Sequence, residues 1–326
     1  MRAPHVGVRR LALAAAFATA ASAAAAQTFP SKPIQLIVTT APSGITDILA
    51  RITADHVGKA LDTKIVVENR TAGAGNPAIA AVAKSAPDGH TLMLINVAQI
   101  ACNPWLYKDV QFDTVKDLAG IAPVGTAPSL LVVNDKLPAQ TGKELVALIK
   151  ASPGKYNYGS PGNTTMPHIV TEQFKHQFGL DLAHIPYRGG APTAMGLATN
   201  EVQVSFLALG SIRPQLQSGQ VRVLGVVSDG RLEDLPAVPT FDEAGLAGFD
   251  LTNWFGVMGP TGLPADVVGK LNGAVRAMLA DPAIKARLRE VGVVPLSEAP
   301  DAFNSRIRSD HEKYGGIIRT AGIKVQ

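Results

Sequence analysis

The chain holds a single cysteine, Cys102, in 326 residues. It has no disulfide of its own, so packing alone must hold it together wherever it folds. A lone thiol reads first as a small buried hydrophobe, and this one lies too far from the N-terminus to carry a lipid anchor. Charge of one sign is also scarce. No window concentrates lysine and arginine without acids among them, which argues against DNA, RNA or an anionic membrane as partner. The usual motifs of hydrolysis, phosphate transfer and metal binding are missing: there is no HExxH, GxSxG, Walker A or EF-hand spacing. Of His56, His90, His168, His176, His184 and His311, none pairs with another four residues on. They read as surface or packing residues, with His168 set apart because it follows a glycine-rich loop. No metal and no cofactor is therefore expected. Gly73-Ala74-Gly75-Asn76-Pro77-Ala78 fits a GxGxxA spacing, but Glu68-Asn69-Arg70 intervenes after the strand and Pro77 interrupts the motif, which argues against a dinucleotide. Ser160 sits in Gly-Ser-Pro-Gly with no partner base legible in the sequence.

What is present begins with a stretch that reads as an export signal. Arg2, Arg9 and Arg10 precede an apolar stretch at 11–21, and Ala24-Ala25-Ala26 supplies small residues for cleavage near Ala26. The apolar stretch falls short of the roughly 20 residues of a membrane span. Arg9-Arg10 leaves the general and the twin-arginine export routes both open. Residues 1–26 carry three arginines and no acid, so their removal lowers the formal charge from +4 to +1. The remaining chain, about 300 residues, is enough for two domains.

From residue 34 the sequence alternates short apolar runs with helical periodicity. Residues 34–40 and 64–68 read as strands around a helix at 46–61, with Thr46 or Asp47 placed to cap it. A small helix at 78–84 and a strand at 91–96 follow, separated by the turn Pro87-Asp88-Gly89. The pattern restarts with strands at 129–133, 156–160, 182–186, 202–207 and 221–227, and helices opening at the capping box Thr141-Gly142-Lys143-Glu144, at 165–178 and at 191–198. A strand at 254–258 leads to helices at 264–280, 282–291 and 300–321. This order suits two parallel-sheet α/β lobes better than one large sheet. A first lobe of 28–124 plus 251–326 and a second of 125–250 are expected.

Two loops stand out because each follows a strand, is rich in Gly, Ser and Thr, and opens a helix. They are Ala41-Pro42-Ser43-Gly44-Ile45-Thr46-Asp47 and Gly159-Ser160-Pro161-Gly162-Asn163-Thr164-Thr165. A helix start offers unpaired N–H groups and about half a positive charge, which favour a carboxylate without any lysine or arginine. Either the loops form an anion trap across a cleft or they are ordinary capped turns.

Longer stretches carry a family resemblance. Phe29-Pro30-Ser31-Lys32-Pro33-Ile34, Thr46-Asp47-Ile48-Leu49-Ala50-Arg51, Val66-Val67-Glu68-Asn69-Arg70 and Ala86-Pro87-Asp88-Gly89-His90-Thr91-Leu92 resemble the Bug receptors. Tyr158-Gly159-Ser160-Pro161-Gly162-Asn163, His184-Ile185-Pro186-Tyr187-Arg188-Gly189 and Trp254-Phe255-Gly256 extend the likeness to the far end. These receptors are TctC-like extracytoplasmic solute-binding proteins of tripartite tricarboxylate transporters. The resemblance implies an α/β, two-lobed periplasmic binding protein of Venus-flytrap, type II-like fold, with the ligand cleft between the lobes. It also implies a carboxylate held by backbone amides, small hydroxyls and bridging waters. The family commonly has Ala-Pro-Gly-Gly-Gly in the first loop, where this chain has Ser43 and Ile45. It has Gly-Asn-Gly-Thr in the second, where Thr164 stands here, and often Phe-Asp-Asn where this chain has Phe206-Leu207-Ala208. Without an acid at that last position to meet an ammonium group, an aromatic or aliphatic carboxylate is expected rather than an amino acid.

The expected ligand-binding residues are Ser43, Gly44, Ile45, Thr46 and Asp47 in the first loop, with Ala98 and Gln99 after the strand at 91–96. From the second half come Ser160, Gly162, Asn163, Thr164, Thr165 and His168, and beyond them Tyr187 and Leu207. No catalytic residue is expected. The expected partners are a small carboxylate and the membrane subunits of a tripartite tricarboxylate-type transporter, with the receptor itself a periplasmic monomer. A receptor feeding a membrane sensor, or a secreted hydrolase or lyase on the same scaffold, are the competing readings.

Overall fold

The computed structural model describes residues 29–249 and 251–324, so the expected export segment lies outside the described residues. In the first part of the chain come β1 (Ile34–Val38), α1 (Ile45–Ala60), β2 (Ile65–Asn69), α2 (Asn76–Ala83), β3 (Thr91–Asn96), α3 (Asn103–Leu106) and β4 (Leu118–Thr126). The middle holds β5 (Ser129–Asn134), α4 (Gly142–Lys150), β6 (Asn157–Ser160), α5 (Met166–Phe178), β7 (Ala183–Pro186), α6 (Gly190–Ala198), β8 (Val204–Leu207), α7 (Leu209–Gln217) and β9 (Val221–Val227). Last are β10 (Trp254–Pro260), α8 (Ala265–Ala280), α9 (Pro282–Glu290), β11 (Val294–Pro295) and α10 (Pro300–Thr320).

These strands form two sheets, ordered β11-β4-β10-β3-β1-β2 and β7-β6-β8-β5-β9. The protein is two-lobed. Within the first sheet β1, β2 and β3 run parallel, and within the second β6, β7 and β8 do. Antiparallel β10 and β5 complete them. The chain crosses from one sheet to the other after β4 and returns before β10, and the crossings run side by side where Ala127 N–H donates to Asn253 O at 2.9 Å.

Both faces of the first sheet are covered, which explains why its strands read as unbroken apolar runs. Leu36, Val38 and Leu94 pack with Leu49 and Ile52 of α1 and Leu271 and Val275 of α8. Ile37, Met93 and Ile95 turn the other way, toward Ile79 of α2 and Phe303 of α10. Under the second sheet Phe174, Phe206, Phe241 and Phe249 form an aromatic cluster, with the Phe174 and Phe206 rings 5.5 Å apart and edge-on. Cys102 is fully buried, and burial pushes its thiol well above the ordinary range.

Several local expectations shift by a residue or a role. The cap of α1 is Gly44, not Thr46 or Asp47; the Asp47 carboxylate instead reaches back to accept Ser43 N–H at 3.0 Å. In the box opening α4, Thr141 accepts Glu144 N–H, but Glu144 accepts from Gln140 rather than from Thr141. Besides the short α3 and β11, two longer elements were not legible at all. The strand β4 contains Gly120, Pro123 and Gly125; Pro123 sits where the pairing with β10 shifts register, and side chains of α10, the Val293 side chain and the backbone of Val294 fill the space the glycines leave. The helix α7 carries Pro214 inside it, which reads as a breaker in sequence.

Candidate functional site

The carboxyl ends of β1–β3 and of β6–β8 are the edges from which the two loops spring. They approach each other: Tyr107, just past α3 of the first lobe, places its hydroxyl 3.3 Å from Thr164 Oγ1 of the second. The candidate site lies between these edges, as expected for open α/β sheets.

In the first loop Ser43 holds φ +67, a left-handed conformation that favours glycine. A buried staple holds the turn. Asp47 accepts from Ser43 N–H, from both Arg51 nitrogens Nε and Nη2 at 3.0 Å, and from Asn69 Nδ2 at 3.0 Å. Burial raises its pKa, but Arg51, Ser43 and Asn69 outweigh it and hold the carboxyl below the ordinary range. With its oxygens so occupied, Asp47 positions the loop. The N–H groups of Ile45, Thr46 and Asp47 have no partner among the described residues.

The second loop is built the same way with different parts. Gly162 has φ +141 and Thr164 φ +61. Gly162 N–H donates to Ser160 Oγ at 3.2 Å, while the hydroxyls of Ser160 and Thr165 both reach Gly162 O. Thr164 N–H donates to His168 Nδ1 at 3.2 Å. Asn163, Thr165, Met166 and His168 keep free N–H groups among the described residues. Thr40 Oγ1 and Asn163 Oδ1, one beside each loop, are buried with no partner among the described residues. Such unmet polar atoms are uncommon in folded chains.

Sequence reading found no base for Ser160, yet the fold supplies His184, whose Nε2 lies 2.7 Å from Ser160 Oγ. The pair braces the loop: Ser160 is 0% exposed, and its hydroxyl is already engaged by Gly162 and by His184. His184 stacks against both Tyr158 (4.6 Å) and His168 (4.5 Å), and Glu172, bonded to Tyr158 and Lys175, closes the cluster. Burial, and then the neighbouring His168, push His184 down to about 4; burial also lowers His168. Both rings are neutral near pH 7. Lowered histidine pKa values mean stability that is complete above the unfolded value of about 6.5 and is lost as pH falls from there toward 4. Thermal melts of the wild type and His184→Asn across that window should differ in slope, the variant being flatter; parallel curves would show that His184 does not carry the effect.

The fifteen expected residues divide by depth. Ser43, Gly44, Ile45, Gly162, Asn163, Thr164 and Thr165 line the facing edges. Thr46, Asp47, Ala98, Ser160 and His168 lie buried directly behind them. Gln99 spends its amide on Thr39 and on Ala74 O, tying the first loop to the turn at 72–75. Tyr187 directs its ring to Gly159 and Gly196, with burial and Glu201 pushing its phenol up to about 12, and Leu207 packs in the core. Arg51, Asn69, His184 and Tyr107 were missed; only Arg51, four residues after Asp47, left a local signal.

Two open surface cavities on the first lobe, about 430 and 750 Å³, lie apart from both loops. One is rimmed by Lys32, Gln35, Asp88 and His90 at the opposite strand ends, the other runs along α1. Among the described residues no group of acids, histidines and cysteine is arranged to hold a metal, and no helix is long and apolar enough to cross a membrane.

Two lobes thus meet at paired helix starts. A profile described as the tripartite tricarboxylate transporter family receptor, TctC, matches residues 49–323, and the chain belongs to that family. BugT of Bordetella pertussis is 32% identical over 98% of this chain and 99% of its own. A Rhodopseudomonas palustris protein solved with adipate superposes with TM-score 0.80 at 30% identity, covering 91% of this chain and 99% of that one. MatC from Rhodopseudomonas palustris, solved with bound malate, gives TM-score 0.77 at 26% identity over 89% of this chain and 100% of that one. The family and these neighbours are solute-binding proteins, not enzymes.

Proposed function

We propose that this chain captures a small aromatic or aliphatic carboxylate between its lobes and delivers it to the membrane subunits of a tripartite tricarboxylate-type transporter. The observation that carries the reading is the pair of helix starts with free N–H groups on opposed sheet edges and no lysine or arginine among the loop residues. Backbone amides at helix starts stabilise a carboxylate by dipole and hydrogen bond together. Ile45 adds an apolar wall, and Leu207-Ala208 offers no acid for an ammonium group. The adipate and malate of the two neighbours support the same ligand class. In this reading the lobes are 28–124 plus 251–326 and 125–250, the leader is cleaved near Ala26, and the mature receptor works as a monomer in the periplasm.

The test is a thermal-shift screen of the mature chain against adipate, malate, benzoate and an amino-acid set. A ligand at 100 times its Kd should add about 2.7 kcal/mol of stability. Stabilisation by a carboxylate and not by amino acids is expected; a response to amino acids alone would overturn the ligand class.

A further inference from the structure

Tyr107 belongs to neither loop, yet it reaches the second one. Its N–H donates to Asn103 O at 2.9 Å, closing α3, and its backbone then turns extended at φ −110, ψ 135. That exit aims the side chain across the gap to Thr164 Oγ1, 3.3 Å away. Thr164 is itself fixed, with its N–H on His168 Nδ1 and its backbone in the left-handed region. The two hydroxyls come from opposite lobes, so they can meet only when the sheet edges are together. A second cross-lobe contact, Arg289 with Asp234 and Glu233, lies where Val291 packs against Gly210.

We propose that Tyr107 is the cleft-closing residue of the first lobe: bonded to Thr164, it holds the lobes shut over a bound carboxylate and sets how long the ligand stays. The proposal rests on the carboxylate-receptor reading above for its ligand, but not for the closure itself. A contact formed after encounter acts on dissociation far more than on association. Tyr107→Phe is expected to speed release about five- to tenfold, the worth of one neutral hydrogen bond, with association unchanged.

Closure is read without ligand by pulsed electron resonance between spin labels at Ala81→Cys and Met195→Cys, both exposed and one on each lobe. Buried Cys102 leaves the labelling specific. Tyr107→Phe and Thr164→Gly should each lengthen the mean distance, the double variant should lengthen it no further, and Thr164→Ser should restore the wild-type value. Additive effects in the double variant, an unchanged distance in Tyr107→Phe, or Thr164→Ser behaving like Thr164→Gly would each overturn the proposal. Release rates are then measured with adipate and with malate. If neither stabilises the wild type while the label distances respond as expected, the ligand reading fails for these two acids and the closing bond stands. If either acid binds while the distances do not respond, the ligand reading stands and the closing bond is overturned.

Discussion

Gly162→Val is expected to abolish measurable carboxylate binding while the chain remains folded. A Cβ at this position would meet only ordinary contacts, Tyr187 O at 3.6 Å and Thr165 Cγ2 at 3.8 Å. The damage comes through the backbone. At φ +141 a β-branched residue is strained, and such positions cost on the order of 1–3 kcal/mol. The loop can escape only by rotating the peptides on either side, and Gly162 N–H and C=O are the groups that Ser160 and Thr165 hold. Rotation would turn away the free N–H groups of Asn163 and Thr165 that open α5. Calorimetric titration with a carboxylate identified by thermal shift checks this, with circular dichroism to confirm folding. Arg188→Gln is the control: wild-type affinity in Gly162→Val together with lost binding in Arg188→Gln would mean that a side-chain cation holds the anion.

The second large effect is expected from Gly210→Val. A Cβ there would stand 2.8 Å from Val291 O and 3.2 Å from Val291 C, backbone atoms of the other lobe that cannot swing aside. Gly292 is equally tight, its own Cβ position lying 2.9 Å from Gly210 N. The lobes therefore meet backbone to backbone at this point, and valine should act as a wedge that the open form tolerates. Overpacking costs about 1–3 kcal/mol, and rigid backbone puts this case at the upper end, on the order of a hundredfold in affinity. At a ligand concentration that just saturates the wild type, small-angle scattering should show little reduction in the radius of gyration of the variant. Gly269→Ala, in open space on α8, should bind and compact as the wild type does. A compact Gly210→Val complex would show that closure does not pass through this contact.

How much of this could be read from sequence depended on how local each signal was. The strands Thr91–Asn96 and Val221–Val227 were legible to the residue, because runs of branched and apolar side chains bounded by polar ones announce buried strands. The strand β4 was hidden, since its glycines and Pro123 make sense only beside Phe303, Val293 and the register shift against β10. The two loops were visible as strand-to-helix turns. Their supports were not: Asn69 is 22 residues from Asp47, His184 is 24 from Ser160, and Tyr107 is 57 from Thr164. Hydrogen bonds over such separations leave no periodicity behind. The polar loop residues also looked alike in sequence, and only burial separates the more exposed ones from Ser160 and Asp47, whose hydrogen bonds lie within the loops and their supports.

The twin crossings between the sheets also favour one order of assembly over another. The strands of the second sheet all fall between Ser129 and Val227, so that sheet can complete itself from one continuous stretch of chain. The first sheet cannot, because β4 must wait for β10, which is made more than a hundred residues later. Closing so long a loop from an unfolded chain carries an entropy cost that slows non-local pairing. Once the second lobe has folded, however, it delivers its two ends side by side, with Ala127 and Asn253 already in contact. Pairing of β4 with β10 is then expected to start at Thr126 and Trp254, the first residues beyond that contact, and to zip outward to Leu118 and Pro260 as though the whole second lobe were the turn of a hairpin.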